Sequence, residues 1–336
     1  MKFMQQKDTF SQQLSSHVSR ARSLRDRVGI YIQARDTMDA ITKIHEAEQA
    51  GVQQAWMTSG GAGFADILTV LAAAVAQTER IKLGTAIVPD YPRHPLVMAQ
   101  QALAVHDLAP ERLRLGIGSG NRSFLESRYG LSQIAPLRYL KEYLEVLRGV
   151  LWQGRIDHQG EFFQVVDTLP RTAQVPLLIP ALGLKAFRLA GEIADGALAS
   201  LCPVPYLLNQ ALPALQAGAE ERSRPAPPIV ACLPVAFSTD EAAVLLAVRR
   251  LIQQLAQTST YARMFAQAGW ASAVNGDEVE LNALARTLVI SGNETTVRDR
   301  VQELLASGLD ELLLLAIPIA DEAMERRQML HLIGSL

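Results

Sequence analysis

Polar side chains and glycines follow two neighbouring apolar runs of this sequence. The first run, about 81–88, leads into a loop that carries Asp90, Tyr91, Arg93 and His94. The second run, about 112–118, ends in Gly118, Ser119, Gly120 and Asn121. Arginine can pair with a carboxylate or phosphate, histidine titrates near neutral pH, and glycine permits close backbone approach to a flat ligand. The two loops therefore predict a ligand site.

These residues also have simpler interpretations. His94 precedes Pro95 at a helix start and can serve only to hydrogen-bond the neighbouring loop, while Asp90 can be a turn residue. The spacing of Gly116, Gly118 and Gly120 is neither a dinucleotide fingerprint nor a phosphate loop with its lysine. By itself, this spacing predicts a tight turn as readily as a ligand cradle.

The elements that position these loops alternate in type along the chain. From Arg27 onward, short β-rich apolar runs alternate with segments of helical period. The predicted strands lie at 27–32, 52–58, 81–88, 112–118, 176–179, 195–200, 229–236 and 310–316. Eight strands with intervening helices favour an α/β fold of the (β/α)8 TIM-barrel type over an open doubly wound sheet. Such a barrel places ligands at the carboxyl ends of its strands.

The domain organisation follows from the same pass along the chain. Residues 27–336 predict a single barrel domain, with a helical insertion at about 237–288 between strands 7 and 8. The insertion fits a lid over the barrel mouth, and helical packing on the barrel side fits equally well. Residues 1–26 are polar and lack the apolar core of a secretory signal, so they predict a flexible N-terminal arm.

Composition excludes several classes of function. With 49% hydrophobic residues and a net charge of −2, the chain is typical of a cytoplasmic globular protein with no nucleic-acid partner. Cys202 and Cys232 give neither a disulfide framework nor metal spacing, and the six histidines are scattered, so no metal is expected. The longest apolar run near the end, 312–320, is too short to span a membrane.

Three segments resemble the luciferase-like flavin and deazaflavin oxidoreductases. GTAIVPDYPRHP followed by RLRLGIGSG is similar to the methylenetetrahydromethanopterin-reductase-like branch that uses coenzyme F420, and residues 175–200 and 290–318 extend the likeness. The resemblance implies a luciferase-like TIM barrel, expected to be a homodimer. It also implies hydride transfer between F420 and an unidentified small organic substrate. FMN is the competing cofactor, with which the reaction becomes monooxygenation.

The resemblance assigns roles to individual residues. It implies that backbone at two segments holds the cofactor's phosphate end, that Ala86 and Ile87 back its ring through a non-prolyl cis peptide bond, and that Thr58 faces ring or substrate. The two backbone segments are Gly118, Ser119 and Gly120, and Ala181, Leu182, Gly183 and Leu184. Relatives often carry proline at the position of Leu184. The candidate catalytic residues are Asn121, Ser59 and His94.

Two departures from the family pattern bear on the reaction. Relatives that oxidise sugar phosphates carry an acidic residue where this chain has Asn121, and a histidine where it has Thr58 and Ser59. Hydroxyl and amide groups orient a ligand oxygen but do little acid–base work. The departures argue against sugar-phosphate oxidation. They also leave open a non-catalytic flavin-binding or structural partner subunit, a role that some barrels of this family have.

Overall fold

A computed structural model describes residues 22–59 and 65–336 of the protein. Its centre is a closed barrel of eight parallel strands, in which each strand pairs with the next and the eighth pairs with the first. The strands are β1 (Val28–Tyr31), β2 (Gln54–Met57), β3 (Lys82–Thr85), β4 (Leu113–Gly118), β5 (Leu177–Pro180), β6 (Gly196–Ser200), β7 (Ile229–Ala236) and β8 (Glu311–Ala316). The predicted TIM barrel is confirmed.

Helices surround the barrel and connect its strands. They are Thr37–Gln49, Ile67–Val75, Pro95–Leu108, Arg122–Tyr129, Pro136–Gln153, Leu184–Ile193, Val204–Tyr206, Leu212–Glu221, Glu241–Ala256, Ser259–Gln267, Ala271–Val274, Glu278–Leu288, Glu294–Ala306 and Glu322–Gly334. A 3₁₀ turn spans Arg25–Arg27, and a π-helix spans Leu207–Ala211. Within the described part of the chain, none of the helices has the length and apolar character needed to cross a membrane.

The first long helix illustrates how local sequence fixes an element. The Asp36 side chain accepts a hydrogen bond from the Asp39 backbone N–H and caps the start of Thr37–Gln49. Ile41 and Ile44 bury the apolar face against the barrel, as expected from their helical spacing. Gly51 has a φ of +88° just beyond the end, a conformation that glycine adopts without steric cost.

The barrel interior explains why its strands are apolar on both faces. Along β7, Ile229, Ala231 and Leu233 pack outward against helices, whereas Val230 and Cys232 point into the barrel. We call the inward-facing set the inner cluster. Its buried members are Trp56, Leu178, Leu198, Leu201, Val230, Cys232, Leu313 and Leu315.

A buried ion pair closes the amino-terminal end of the barrel. Arg114 Nη1 on β4 lies 2.6 Å from Glu311 Oε2 on β8, and the guanidinium of Arg114 lies 4.8 Å from the centre of the Trp56 ring. Burial alone would raise the pKa of Glu311, but Arg114 and Arg22 lower it to about 2. The carboxylate of Glu311 therefore stays ionised in the folded protein.

Most of the predicted N-terminal arm, residues 1–21, lies outside the described residues. The residues that follow contact the base of the barrel: Arg22 Nη1 lies 2.8 Å from Glu311 Oε1. Arg27 donates hydrogen bonds to the carbonyl oxygens of Leu309 and Asp310, at 2.6 and 2.8 Å. These contacts connect the start of the described chain to the loop before β8.

The predicted helical insertion is present between β7 and β8. Four helices within 241–288 precede the two-residue strand Ile290–Ser291, which pairs with the end of β7. Leu251, Leu255 and Tyr261 from these helices pack against the inner cluster. These three side chains bring the insertion into contact with the inner cluster, while a lid role for it stays a prediction.

A β-hairpin interrupts the connection between β4 and β5, and the sequence pattern did not predict it. Its strands, Arg155–Gln159 and Gln164–Thr168, pair antiparallel and are largely exposed, so they lack the apolar run that marks a buried strand. The carboxylate of Glu142 accepts hydrogen bonds from the backbone N–H groups of Phe162 and Phe163, at 3.0 and 2.7 Å. This carboxylate anchors the hairpin turn.

Candidate active site

The predicted site residues lie around the carboxyl ends of the barrel strands. Thr58 and Ser59 follow β2, Ala86 and Ile87 follow β3, and residues 119–121 follow β4. Residues 181–184 follow β5 across the same mouth. The structure thus brings the predicted set to one end of the barrel, while the catalytic and binding roles of its members stay predictions.

Ala86 and Ile87 form part of the apolar wall of the mouth. The peptide bond between them is cis, as the resemblance implied. Both side chains are half-buried and pack against the inner cluster. The backbone N–H of Ser59 donates to the carbonyl oxygen of Ile87 at 3.2 Å, and that of Ala86 to Met57 at 2.6 Å. The ends of β2 and β3 are therefore held together here.

The three glycines of the GxGxG segment have different structural roles. A Cβ at Gly116 would overlap the carbonyl oxygen of Thr85, and one at Gly118 would overlap the Pro180 ring. Gly120 has a φ of +65°, and no atom lies within 4 Å of the position its Cβ would take. The first two glycines thus allow neighbouring strands to approach, and the third forms a turn beside open space.

Two of the predicted catalytic residues cap helices. Asn121 Oδ1 accepts hydrogen bonds from the backbone N–H and the hydroxyl of Ser123, at 3.0 and 2.9 Å. His94 Nδ1 accepts from the backbone N–H of Leu96 at 3.3 Å, an arrangement that leaves the hydrogen of a neutral ring on Nε2. Both side chains are exposed, so these contacts give them a structural function and leave part of each accessible to a ligand.

The loop after β5 leads into a helix whose first N–H groups have no side-chain cap. Gly183 occupies the N-cap of Leu184–Ile193, and its carbonyl oxygen accepts hydrogen bonds from Ala186 and Phe187, at 2.9 and 3.2 Å. The Tyr206 hydroxyl fixes the loop by donating to the Leu182 carbonyl oxygen at 2.8 Å. A helix start of this kind offers N–H groups and a positive dipole end to a phosphate.

Asp90 is the buried acid of the mouth. Its side chain is fully buried, and Ser119 Oγ donates to its Oδ2 at 3.0 Å. Burial raises the pKa of Asp90 to about 7, because the hydrogen bonds from Ser119 and from the Tyr91 backbone offset only part of the desolvation. The sequence identified Asp90 as a titratable candidate but gave no indication of this environment.

Two tyrosines at the mouth were missed by the sequence reasoning. Tyr31 ends β1 and Tyr261 belongs to the insertion, and both pack against the inner cluster. Burial raises the pKa of both phenols. The alternation along β1 predicts that Tyr31 points inward, whereas no signal in the sequence brings Tyr261 to the mouth.

Other features of the structure lie away from these residues. A cavity of about 440 Å³ lies on the barrel flank, between residues 204–209 and the helix Glu294–Ala306. The two arginines in its lining, Arg286 and Arg300, pair with Glu241 and Glu303. Across residues 22–59 and 65–336, no three His, Cys, Asp or Glu side chains come together as metal ligands.

Three features characterise the class of protein. They are the barrel with polar loops at one end, the non-prolyl cis peptide bond after β3, and the helical insertion before β8. The family described as luciferase-like monooxygenase matches residues 24–311. The chain belongs to this family.

The chain is similar in sequence to two enzymes of known activity. Over 180 residues the chain is 36% identical to the F420-dependent glucose-6-phosphate dehydrogenase of Microbacterium testaceum, a match that covers 51% of this chain and 53% of the relative. Over 197 residues it is 28% identical to the 5,10-methylenetetrahydromethanopterin reductase of Methanolobus tindarius, covering 58% and 60%. The chain therefore spans between half and two thirds of the length of these curated relatives.

A solved structure extends the likeness over nearly the whole chain. The structure of an F420-dependent secondary alcohol dehydrogenase in complex with an F420–acetone adduct superposes with a TM-score of 0.75. The match covers 92% of this chain and 97% of that one, at 18% sequence identity. At this identity, the likeness shows a shared fold.

Proposed function

We propose that this protein is an F420-dependent oxidoreductase that transfers a hydride between the cofactor and a small organic substrate. The observation that carries the proposal is the apolar wall formed by Ala86 and Ile87 at the same end of the barrel as the open turn at Gly120. The uncapped start of the helix Leu184–Ile193 lies at the same end of the barrel. A small residue at the wall suits a flat ring, and two backbone segments suit its anionic tail. Relatives named as F420-dependent glucose-6-phosphate dehydrogenases support the same cofactor.

In this proposal each part of the mouth has a defined task. When bound, the deazaflavin supplies or accepts the hydride. Ala86 and Ile87 back its ring, and backbone N–H groups at 118–120 and 181–184 bind its phosphate end. Thr58 and Ser59 offer hydroxyl groups to a ring or substrate oxygen. Tyr261 and the insertion keep water from the reacting atoms.

We further propose that the substrate is not a sugar phosphate. Asn121 stands where relatives with that activity carry an acid, and its side-chain oxygen is engaged by Ser123. Thr58 and Ser59 stand where those relatives carry a histidine. The side chains present at these two places are amide and hydroxyl groups, which are poor bases for removing a hydroxyl proton. The homodimer and the cytoplasmic location remain predictions alongside the substrate class.

Two alternative functions, an FMN-dependent monooxygenase and a non-catalytic partner subunit, are each supported by particular side chains. The weak acid–base character of Thr58, Ser59 and Asn121 also suits reduced FMN, whose reaction with oxygen would make the protein a monooxygenase. A non-catalytic partner subunit is favoured by the bulky side chains of Leu255 and Tyr261, which pack against the same inner cluster as Ala86. Cofactor binding distinguishes the two enzymes from a structural subunit, and oxygen consumption with reduced FMN distinguishes the monooxygenase from a flavin-binding subunit.

The experiment is a titration of the purified protein with F420 and with FMN, each oxidised and reduced, followed by cofactor absorbance and protein fluorescence. Selective binding of F420 supports the proposal, preference for reduced FMN supports the monooxygenase, and failure to bind either supports the partner subunit. The variant Ala86→Phe should weaken F420 binding at least tenfold by filling the wall. Val279→Ala is the control, since Val279 is 77% exposed on the insertion.

A further inference from the structure

Asp90 is buried at the mouth, and within residues 22–59 and 65–336 it has no cationic partner. Its Oδ2 accepts from the Ser119 hydroxyl at 3.0 Å, and its Oδ1 accepts from the Tyr91 backbone N–H at 2.7 Å. Its own backbone N–H donates to the Gly118 carbonyl oxygen at 3.2 Å. Asp90, on the loop after β3, is therefore hydrogen-bonded directly to the loop predicted to hold the cofactor's phosphate end.

The groups around Asp90 come from three parts of the fold. On its own loop, Arg93 directs its guanidinium to Asp66, and the Tyr91 hydroxyl donates to the Ile134 carbonyl oxygen at 2.6 Å. The helix Pro136–Gln153 contributes Tyr139 and Tyr143, on whose phenols a charge at Asp90 acts unfavourably. The end of β4 contributes Ser119. Among the described residues, no lysine or arginine hydrogen-bonds to this carboxyl group.

We propose that Asp90 is a positioning residue that couples the binding of an anionic cofactor to the uptake of one proton, acting through the hydroxyl of Ser119. The coupling rests on the proposed F420 function, because it requires an anion at residues 118–120.

The chemical basis is the single hydrogen of the Ser119 hydroxyl. When Asp90 is ionised, it accepts that hydrogen, and its negative charge opposes a nearby anion. When Asp90 takes a proton from water, its own O–H can donate a hydrogen bond to Ser119 Oγ. The Ser119 hydroxyl is then free to donate its hydrogen bond to a phosphate oxygen. Burial raises the pKa of Asp90 to about 7, so both forms are populated near neutral pH.

Calorimetric titration of the protein with F420, in pairs of buffers that differ in ionisation heat, tests the coupling. The wild type should take up about one proton per cofactor at pH 8 and almost none at pH 6, with a Kd about tenfold weaker at pH 8. Asp90→Asn should lose this uptake and bind F420 more tightly than the wild type at pH 8. If Asp90 had only a structural role, the Asp90→Asn variant would bind F420 more weakly than the wild type at pH 8. Any proton that the cofactor itself gains or loses is common to both proteins.

Two further variants keep the test decisive. Ser119→Ala leaves Asp90 in place and should weaken binding at pH 6 about tenfold, as expected for loss of a hydrogen bond to a charged group. Asp107→Asn, at an exposed position on the helix Pro95–Leu108, should behave as the wild type. Equal proton uptake by wild type and Asp90→Asn would overturn the coupling alone. Absence of F420 binding to the wild type at every pH would overturn the proposed function together with the coupling.

Discussion

Arg114 and Glu311 form an ion pair across the base of the barrel, although their strands, β4 and β8, are not neighbours in the sheet. Arg114 Nη1 lies 2.6 Å from Glu311 Oε2, and the Glu311 side chain is only 2% exposed. Gln54 Nε2 also donates to the Glu311 carboxylate at 3.2 Å. The pair therefore connects opposite walls of the barrel from within.

Replacing Glu311 with glutamine should destabilise the fold. Arg114 would keep its charge in a buried position without a counterion, a change that typically costs about 3 to 5 kcal/mol. Because the folded-state pKa of Glu311 is about 2, below its ordinary value, the pair contributes stability above about pH 4.5 and loses it as pH falls toward 2. Urea unfolding at pH 7 measures the effect. Glu303→Gln, at an exposed position, should stay within about 0.5 kcal/mol of the wild type.

The close packing of Gly84 against the Trp56 ring leads to a second prediction about the barrel interior. A Cβ at Gly84 would overlap the six-membered part of the Trp56 ring, and Trp56 is only 1% exposed. Gly84→Ala should therefore destabilise the protein by about 1 to 3 kcal/mol through overpacking. Gly183→Ala is the matched control, because its nearest neighbour would be Gln267 Oε1 at 3.8 Å. Equal melting temperatures for the two variants would contradict the packing argument.

The buried acid at the mouth should make stability depend on pH. The pKa of Asp90 is raised from 3.8 to about 7, so its ionisation opposes folding. This penalty is absent below about pH 4, grows by about 1.4 kcal/mol per pH unit between 4 and 7, and is constant above 7. Asp90→Asn should therefore gain stability relative to the wild type as pH rises through that window. Thermal melts from pH 4 to pH 8 measure it, and a difference independent of pH would count against it.

The insertion should loosen when the ring of Tyr261 is removed. This ring packs against the inner cluster, so its loss removes contacts that hold the helix Ser259–Gln267 against the barrel. In Tyr261→Ala, amide hydrogen exchange within this helix should speed up about fivefold, while exchange in the barrel strands stays unchanged. Tyr129→Ala, at an exposed position, is the control. Unchanged exchange in the helix would mean that the Tyr261 ring does not hold the insertion closed.

The barrel could be predicted from sequence because its strands are buried on both faces. Runs such as the Leu312–Leu315 segment of β8 are typical of strands in a parallel sheet that is covered on both faces. The hairpin at 155–168 escaped prediction because it is exposed and its residues alternate only weakly. The hairpin turn is held by the Glu142 carboxylate, and the residue pattern of the helix that carries Glu142 does not predict the hydrogen bond to Phe163.

The sequence predicts where the candidate site residues lie but not which hydrogen bonds they make. Strand ends locate Ser59, Asn121 and His94 at the mouth, because parallel strands of a barrel end on one side. Their hydrogen bonds depend on rotamers and loop paths that no short-range pattern encodes. The pairing of Ser119 with Asp90 joins two loops 29 positions apart, and Tyr261 reaches the mouth only through the fold of the insertion.

The position of the insertion also bears on how fast a ligand can enter. Leu251, Leu255 and Tyr261 pack against the same inner cluster as Ala86 and Ile87, so we expect these side chains to move away before a flat ring reaches that wall. Entry then requires an opening step that does not depend on ligand concentration. In rapid mixing, the observed rate of F420 binding would therefore level off at high cofactor concentration, and the plateau would equal the rate at which the insertion opens.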